Sequence, residues 1–140
     1  MSPTAKTSGL AATVLVDDSS SSAQTISNDV TEFSFQTPRA LQDITGVDKS
    51  SHERLLLLAD ASFSLKGVFN TASNMSHAVF KTVPSTSVNR NIKIEPTSGS
   101  TPYLSCLCAV SAYDITRSAA GDLTWQVKAD LADGTTPSWS

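Results

Sequence analysis

Hydrophobic and polar residues alternate along the middle of the chain. From Leu55 to Phe69 the odd positions are apolar or Gly, and beyond the run Leu55–Leu58 the even positions from Asp60 to Lys66 are polar. A period of two is typical of a strand with one buried face. The pattern therefore predicts a strand over roughly 57–70. The stretch "DKSSHER" before it carries a capping-box spacing, which predicts a turn or one short helical turn there.

The C-terminal third repeats this alternation. In "LTWQVKADL" the apolar positions from Leu123 to Leu131 alternate with polar ones, and "AAGD" before it is a turn signal. The preceding segment "YLSCLCAVSAYDITR" is apolar on both faces around Leu104–Val110. Such a strand is covered on both sides, by its own chain or by another subunit. Together, 103–117 and 122–131 predict a long β-hairpin.

Shorter strands are predicted elsewhere. "AATVLV" and "SAQTISN" flank the polar loop "DDSSSS" and read as a hairpin, while "EFSFQ" and "VNRNIKIEP" each read as one strand. One helix is predicted in "SNMSHAVFKTVP", with Ser73 or Asn74 as its cap and Pro84 as its end. The side chains expected in the core are Phe63, Leu65, Phe69, Phe80, Trp125 and Val127.

These elements predict a mainly β fold. Six or seven strands and one short α-helix correspond to a small β-sandwich or a partly open barrel. No internal repeat or second domain is visible, so residues 1–140 are expected to form one domain. Its outlying parts would be the hairpin loop 17–22 and a C-terminal arm, 132–140.

Composition narrows the function classes. Ser and Thr together exceed a quarter of the chain, and only 16% of the residues are charged. The net charge of −3 and the scattered basic residues argue against a protein that grips nucleic acid. No apolar stretch approaches the ~20 residues of a membrane span, and the N-terminus has no signal-peptide core. A soluble protein that is made and kept in a cytoplasm is expected.

The ingredients of an active site are missing. His52 and His77 are the general-base candidates, and each is more simply a solvated histidine. Cys106 and Cys108 lie on one strand face and are expected to be reduced core thiols, not a disulfide or a metal site. "DDSSSS" lacks the spacing of a calcium loop. Neither a phosphate loop nor a nucleophile elbow occurs, so no catalytic activity, metal or cofactor is expected.

The chain nevertheless has more apolar strand surface than one small core needs. Exposed sheet edges and strands that are apolar on both faces are liabilities in a monomer, and in an assembly they become contacts. Closing neighbouring sheets into one large barrel removes the edges. Arg39, with Asp43 and Asp48 near it in sequence, could form a buried or interfacial ion pair, or be a plain surface residue.

Three stretches carry a resemblance to a known family. They are "SFQTPRALQDITGVDKSSHERLLLLADASFSLKGVFN", "SHAVFKTVPSTSV" and "SAYDITRSAAGDLTWQVKADLADGTTPSW". In this order they resemble the major tail proteins, or tail tube proteins, of siphophages that infect actinobacteria. The resemblance spans roughly residues 25–140, and the segment "VLVDDSSSSAQTISN" matches least well.

The resemblance implies a structural virion protein. Such subunits form hexameric rings that share a continuous inner β-barrel and stack into a tube. The implied partners are other copies of the chain, the tape-measure protein, the tail terminator and baseplate proteins. Phage DNA would pass through the lumen without specific binding, and assembly would take place in the host cytoplasm.

Hairpin tips and terminal arms would join the rings. The residues expected at contacts between subunits or rings are Asp17, Asp18, Arg39, Asp43, Asp48, Thr135, Pro137 and Trp139. Two alternatives stay open at this point. One is another β-sandwich virion component, such as a tail terminator, baseplate or capsid decoration protein, and the other is an immunoglobulin-like module that binds a surface.

Overall fold

The structure, a computed structural model, describes residues 8–97 and 101–140. The predicted domain 1–140 therefore includes residues 1–7 and 98–100, which lie outside the described residues. The described part contains nine strands and one short helix, α1 (Ser76–Phe80). The strands are β1 (Thr13–Asp17), β2 (Ala23–Thr25), β3 (Val30–Gln36), β4 (Arg39–Asp43), β5 (Arg54–Ala59), β6 (Ser62–Val68), β7 (Arg90–Glu95), β8 (Leu104–Arg117) and β9 (Leu123–Leu131).

The single strand predicted over 57–70 is wrong. Two strands, β5 and β6, divide this segment at Asp60–Ala61, and they belong to different sheets. Alternation holds in β6, where Phe63, Leu65 and Gly67 are buried. The alternation is interrupted in β5 by a β-bulge, at which two residues of β5 lie opposite one residue of β4. The leucine run therefore does not continue the buried face of β6. The stretch "DKSSHER" is a turn without helix.

Seven strands of the described part form one antiparallel sheet in the order β2-β1-β7-β8-β9-β6-β3. Strand β8 is long enough to contribute to both halves of this sheet. Its first part, Leu104–Cys108, pairs with β7, and its second part, Cys108–Arg117, pairs with β9. A register shift lies between Val110 and Ala112, and strands change layers at such irregularities. The halves are called layer A (β2, β1, β7, start of β8) and layer B (end of β8, β9, β6, β3).

The two edges of this sheet lie close together. Strand β2 ends at Thr25 and β3 begins at Val30, so four residues connect opposite edges. Such a connection spans at most ~17 Å, whereas seven strands laid flat would separate the edges by ~29 Å. The sheet is therefore folded over, so that layers A and B face each other. It is not closed, because no ladder joins β2 to β3 among the described residues.

The core lies between the two layers. Layer A contributes Val14, Val16, Ile92 and Ile94, and layer B contributes Phe63, Leu65, Trp125, Val127 and Ala129. Both cysteines belong to this cluster as free thiols, as predicted. Trp125 lies across Gly67 of the neighbouring strand and donates a hydrogen bond from Nε1 to the Val68 carbonyl oxygen (2.9 Å). A Cβ at position 67 would lie 2.6 Å from Trp125 Cζ2, so this packing requires glycine.

Helix α1 covers the core with Val79 and Phe80, and Phe80 packs against Trp125. The predicted caps are wrong, because neither Ser73 nor Asn74 makes a side-chain cap and Met75 occupies the N-cap position. Instead the buried carboxylate of Asp29 accepts from the Ser76 backbone N–H (2.9 Å). The helix is thus positioned by a residue 47 positions upstream, which local sequence cannot reveal.

Buried Arg90 fixes the other end of the helix. Its guanidinium donates to the carbonyl oxygens of Val79 and Asp17 and to Thr82 Oγ1. Burial lowers the pKa of Arg90, while the nearby carboxylates of Asp18 and Asp17 act in the opposite direction. Arg90 therefore ties α1 to the β1–β2 hairpin. Among the described residues no helix is long and apolar enough to cross a membrane.

Candidate assembly surfaces

Strands β4 and β5 form a separate two-stranded sheet, called here the leucine arm (Arg39–Ala59). Its apolar side chains lie in water. Leu41, Leu55, Leu56 and Leu57 are 57%, 49%, 55% and 39% exposed, and Leu58 reaches 87%. An isolated two-stranded hairpin is marginally stable in water. Exposed apolar patches of this kind mark interaction surfaces.

Leucines occupy both faces of the arm. Leu41 pairs with Leu56 on one face, and Gln42 pairs with Leu55 on the other. The bulge on β5 sets Leu57 and Leu58 together opposite Ala40. No single neighbouring surface of the subunit could cover both faces of such a ribbon.

The tip of the arm is ordered by polar contacts. Asp43 accepts from the Thr45 backbone N–H (3.0 Å) and hydroxyl (2.5 Å) and lies 3.3 Å from the His52 ring. These hydrogen bonds from Thr45 lower the pKa of Asp43. Lys49 and Glu53 add an exposed ion pair at 3.6 Å. The tip is therefore an ordered loop, and the side chain of Val47 in this loop is fully exposed.

Among the described residues of the chain, Arg39 forms no ion pair with Asp43 or Asp48. Its guanidinium donates to the Leu57 carbonyl oxygen at 3.2 and 3.0 Å, and so braces the arm beside the bulge. Within 8–97 and 101–140, Asp43 contacts Thr45 and His52 instead, and Asp48 forms no ion pair. All three residues nonetheless lie on the exposed arm.

The arm leaves the body at one end of layer B, called the arm end. Thr37 and Pro38 lead from Gln36 into β4, and Asp60 and Ala61 lead from β5 into β6. The Asp60 N–H donates to the Pro38 carbonyl oxygen (2.9 Å), which closes the base of the arm. The opposite end of layer B carries the turn between β8 and β9 and is called the turn end.

Layer B has two unpaired edges. Strand β3 is the outer strand on one side. On the other side, β7 pairs only with Leu104–Cys108, so within the described ranges Ala109–Arg117 has no partner along that edge. Both edges are long, at 7 residues for β3 and most of the 14 residues of β8. Rows of unpaired N–H and C=O groups are templates for pairing with another chain.

The outward face of layer B is polar. Its side chains come from positions alternate to the core, and Ser, Thr and Gln predominate. They include Ser34, Gln36, Ser62, Ser64, Thr116, Thr124 and Gln126, with Lys66, Lys128, Glu32, Asp114 and Asp130 among them. Cationic and anionic side chains are interspersed, so neither sign dominates this face.

The hairpin loop 17–22 is ordered by hydrogen bonds to its two aspartates. Asp18 accepts from the backbone N–H groups of Ser20 and Ser22 at 2.9 and 3.0 Å, and these bonds, led by that from Ser22, lower its pKa. Asp17 accepts from the Asn91 N–H at 3.2 Å and so belongs to layer A. Of the two, Asp18 lies nearer the hairpin tip, and Asp17 ties the hairpin to β7.

The C-terminal segment is fastened to its own subunit. Trp139 bridges Leu104, and the backbone N–H and C=O of Ser140 pair with those of Tyr103. The Trp139 ring packs against Phe35 with centroids 5.3 Å apart and stays 49% exposed. Thr135 and Pro137 lie in the loop that precedes this contact, above the β7–β8 junction. The end of the predicted C-terminal arm, 132–140, therefore lies against the start of β8 and against β3.

The side chains considered for chemistry lie apart. His77 packs between Phe69 and Tyr113, with Nδ1 3.2 Å from the Tyr113 hydroxyl, so it is not freely solvated. Burial raises the pKa of Cys106, and that of Cys108 to about 12, which keeps both thiols protonated. Among the described residues no three His, Cys, Asp or Glu side chains could hold a metal ion.

Sequence reasoning placed Phe63, Leu65, Phe80, Trp125 and Val127 in the core, and the structure buries all five. Phe69 is only half-buried. The reasoning did not name the leucines of the arm as contact residues. The sequence nevertheless contains a signal for them. Successive side chains of a strand alternate between its two faces, so four consecutive leucines must place some apolar side chains on each face.

Solved structures share this fold. The chain matches one in the tail of an empty gene transfer agent particle, computed with helical refinement and C6 symmetry, with a TM-score of 0.72, 18% identity, and 96% and 99% of the two chains covered. A chain in a native gene transfer agent virion gives 0.64 and 16%, with 91% and 95% covered. One from the anti-feeding prophage baseplate, 6-fold symmetrised, gives 0.64 and 13%, with 100% and 97% covered.

No protein-family profile and no curated protein matches the sequence. At identities of 13–18% the three likenesses show the fold. The match to the baseplate chain covers 100% of this chain, so it includes the leucine arm and the C-terminal segment.

Proposed function

We propose that this chain is a structural tail protein, the subunit of a phage tail tube that polymerises as stacked hexameric rings. The observation that carries the proposal is the pair of unpaired edges on layer B. The proposal takes residues 1–140 as one tail-tube-like domain. The role requires neither catalysis nor a cofactor.

The two edges suit each other in direction. The strands of layer B alternate in direction in the order β8, β9, β6, β3, so β3 and β8 run opposite ways. If β3 of one copy lies beside β8 of the next, the pairing is again antiparallel. The same contact repeats around a ring and closes without leaving an edge. Four strands from each of six copies would make a 24-stranded barrel.

The polar face of layer B suits the inside of that barrel. With strands ~4.8 Å apart and tilted by about 40°, 24 strands enclose a cylinder roughly 45–50 Å across at the backbone, wide enough for a DNA duplex. Its wall would carry hydroxyl and amide groups with mixed charges. A wall without a basic surface does not hold the phosphate backbone, so the genome can slide through.

The neighbours support an assembly of this symmetry. Two of the three come from structures described by six-fold or C6 symmetry, and two from particles or tails of a gene transfer agent. On this proposal the protein belongs to the virion tail and assembles in the host cytoplasm. Its partners are its own copies, the tape-measure protein, the tail terminator and baseplate proteins.

One second candidate has an observation in its favour. The third neighbour comes from a baseplate, so a baseplate ring protein would have the same fold. Such a protein, like a tail terminator, stops at one ring or binds a formed lattice. A surface-binding module of the immunoglobulin type would stay a monomer.

Negative-stain electron microscopy of the purified full chain across a concentration series tests the proposal. Hollow tubes with a regular axial repeat and six-fold end views are expected. Single rings that never lengthen would favour the baseplate or terminator roles. Monomers at every concentration, also in the presence of a tape-measure fragment as initiator, would overturn the proposal.

A further inference from the structure

The free edge of β8 presents every second residue to a neighbour. Across the turn that ends this strand, the Ser118 N–H donates to the Asp122 carbonyl oxygen (2.9 Å). Opposed residues of an antiparallel pair alternate between hydrogen-bonded and non-bonded, so the even-numbered residues from Ala112 onward bond to β9. The odd-numbered residues of 113–117 therefore direct their N–H and C=O groups to the free edge.

The free edge of β3 is built in the same phase. The Leu131 N–H donates to the Ala61 carbonyl oxygen (2.9 Å), so the odd-numbered residues along β6 bond to β9 and the even-numbered ones bond to β3. The even-numbered positions of β3 from Glu32 onward are their partners. Phe33 and Phe35 are left with N–H and C=O groups that point outward. If the two edges pair, odd positions lie opposite odd positions, and the polar, even positions opposite even ones.

The handedness of layer B sets the direction in which neighbouring copies are offset. On an upward strand, an L-residue that faces the viewer directs its N–H and C=O groups to the right. The core-facing Leu123 and Leu131 of β9 bond on the β6 side. Seen from the core with β9 upward, the order from left to right is therefore β8, β9, β6, β3.

A barrel with the polar face inside is seen from outside in this view. Because strands twist right-handed, the strands of a closed barrel then rise to the right. A row of opposed residues consequently descends toward the turn end from each copy to the next. The next copy of β8 is thus displaced toward the arm end relative to that row.

The size of the offset follows from strand spacing and tilt. Four strands ~4.8 Å apart, tilted by about 40°, give an offset of about 16 Å per copy, or between four and five residues. The phase of the two edges allows even offsets alone. An offset of four keeps Phe33–Gln36 opposite 114–117, whereas an offset of six moves half of these positions beyond the end of a strand.

We infer that β3 and β8 of neighbouring copies pair in this register, offset by four residues, so that Ser34 of one copy lies opposite Thr116 of the second copy. The inference rests on the proposed function and names the residues that meet. Gln36 then lies opposite Asp114, whose carboxylate can accept from the side-chain amide. Without an offset, Glu32 would lie opposite Asp114, because both belong to one row across layer B. Opposed like charges are destabilising, so these two carboxylates select against the unstaggered register.

Cysteine scanning measures the register. Ser34→Cys is combined in turn with Ala112→Cys, Asp114→Cys, Thr116→Cys or Ser118→Cys in the full chain. Each double variant is assembled under conditions in which the unaltered chain forms tubes, and is then mildly oxidised. Across the new contact these even positions form non-bonded pairs, whose Cα atoms lie about 4.5 Å apart, within the span of a disulfide. Covalent multimers are then counted on a denaturing, non-reducing gel.

The double variant with Thr116→Cys should give a ladder that ends at six subunits, at least fivefold stronger than the other three. The native thiols are buried and have raised pKa values, so they stay silent. A maximum with Ala112→Cys, Asp114→Cys or Ser118→Cys would show an offset of zero, two or six residues and overturn the register. Equal ladders, or none, from assembled rings would also overturn it. If the unaltered chain forms neither rings nor tubes, the proposed function fails, and this inference with it.

A charge reversal tests the role of the carboxylates. Glu32→Lys replaces the repulsion in the unstaggered register by an attraction to Asp114. Added to the variant with Ser34→Cys and Ala112→Cys, it should strengthen the weak ladder at least threefold. Asp130→Lys is the matched control, since it lies on the same polar face but on the inner strand β9, and it should leave the ladder unchanged. No difference between the two reversals would overturn the selective role of Glu32.

Discussion

The leucine arm and the neighbouring strand β6 are built from similar residues and end in opposite environments. Leu56 is 55% exposed, whereas Leu65, nine positions later, is fully buried. Both lie on strands, and both face other apolar side chains. The two strands differ in their neighbours, because β6 lies between β9 and β3 in the sheet, whereas β5 pairs with β4 alone in the part of the chain that the structure describes.

This contrast separates two uses of hydrophobic surface. In β6 the leucine stabilises the subunit, since its burial is complete within one chain. In the arm the leucines are largely exposed and contribute little to the stability of the single chain. Under the proposed function they become stabilising when another copy covers them, so the chain folds first and assembles afterwards.

The largest expected loss of stability comes from substitutions where the Trp125 ring packs over Gly67. Trp125→Ala should lower the free energy of unfolding by about 3–5 kcal/mol, because it removes a buried indole and its hydrogen bond to Val68. Gly67→Ala should also be strongly destabilising, because the added methyl group has no space. Urea denaturation measures both. Ser64→Ala on the polar face is the control, and its midpoint should hardly change.

The comparison itself is tested by a pair of identical substitutions. Leu65→Ala should cost about 2–5 kcal/mol, and Leu56→Ala less than about 0.5 kcal/mol, in the unfolding free energy of the monomer. Tube formation should show the reverse order of sensitivity once the stability loss is allowed for. Equal losses of monomer stability would mean that the arm packs on its own subunit.

Removing Thr135–Ser140 should have an intermediate effect. The sequence predicts a C-terminal arm at 132–140, and in the structure Trp139 of this arm packs on Phe35 and bridges Leu104. We expect a loss of about 1–2 kcal/mol in the unfolding free energy. Trp139→Phe should recover much of it. An unchanged denaturation midpoint in the truncated chain would show that these contacts do not stabilise the fold.

The smallest expected effect concerns the tip of the arm and pH. The pKa of Asp43 is lowered below 3.8 by its hydrogen bonds from Thr45, so its contribution is present above the unfolded value. It is lost as the pH falls through the lower, folded value. The protection of the Thr45 amide, measured relative to the intrinsic exchange rate at each pH, should therefore fall as the pH drops below the unfolded pKa of 3.8. In Asp43→Asn this acid dependence should disappear, and its persistence would point to another group.

Much of the body follows from sequence pattern, because period-two alternation depends only on which face is buried. The hairpin β8–β9, the strand β7 and the inward positions Phe63 and Trp125 were all predicted in this way. The break at Asp60 was not, since alternation alone does not say which sheet a strand joins. The cap of α1 by Asp29 could not be predicted from local sequence either, because Asp29 and the Ser76 N–H that it accepts from are 47 positions apart.

The candidate surfaces were harder to predict than the fold. The side chains of Leu55–Leu58 are exposed, contrary to the usual expectation for a leucine run, because no third strand of 8–97 or 101–140 lies beside the arm. The unpaired edge of β8 depends on where β7 stops pairing, which is a property of the folded sheet. Neither feature has a local sequence signature.

Hydrogen–deuterium exchange of the full chain, compared between free subunits and assembled tubes, tests the central claim most directly. The account predicts new protection in Arg39–Asp43, Arg54–Ala59, Val30–Gln36 and 109–117 on assembly. Strand β9, which is paired on both sides within the subunit, should be protected in both states. Unchanged exchange in the arm and at both edges of layer B would contradict the account.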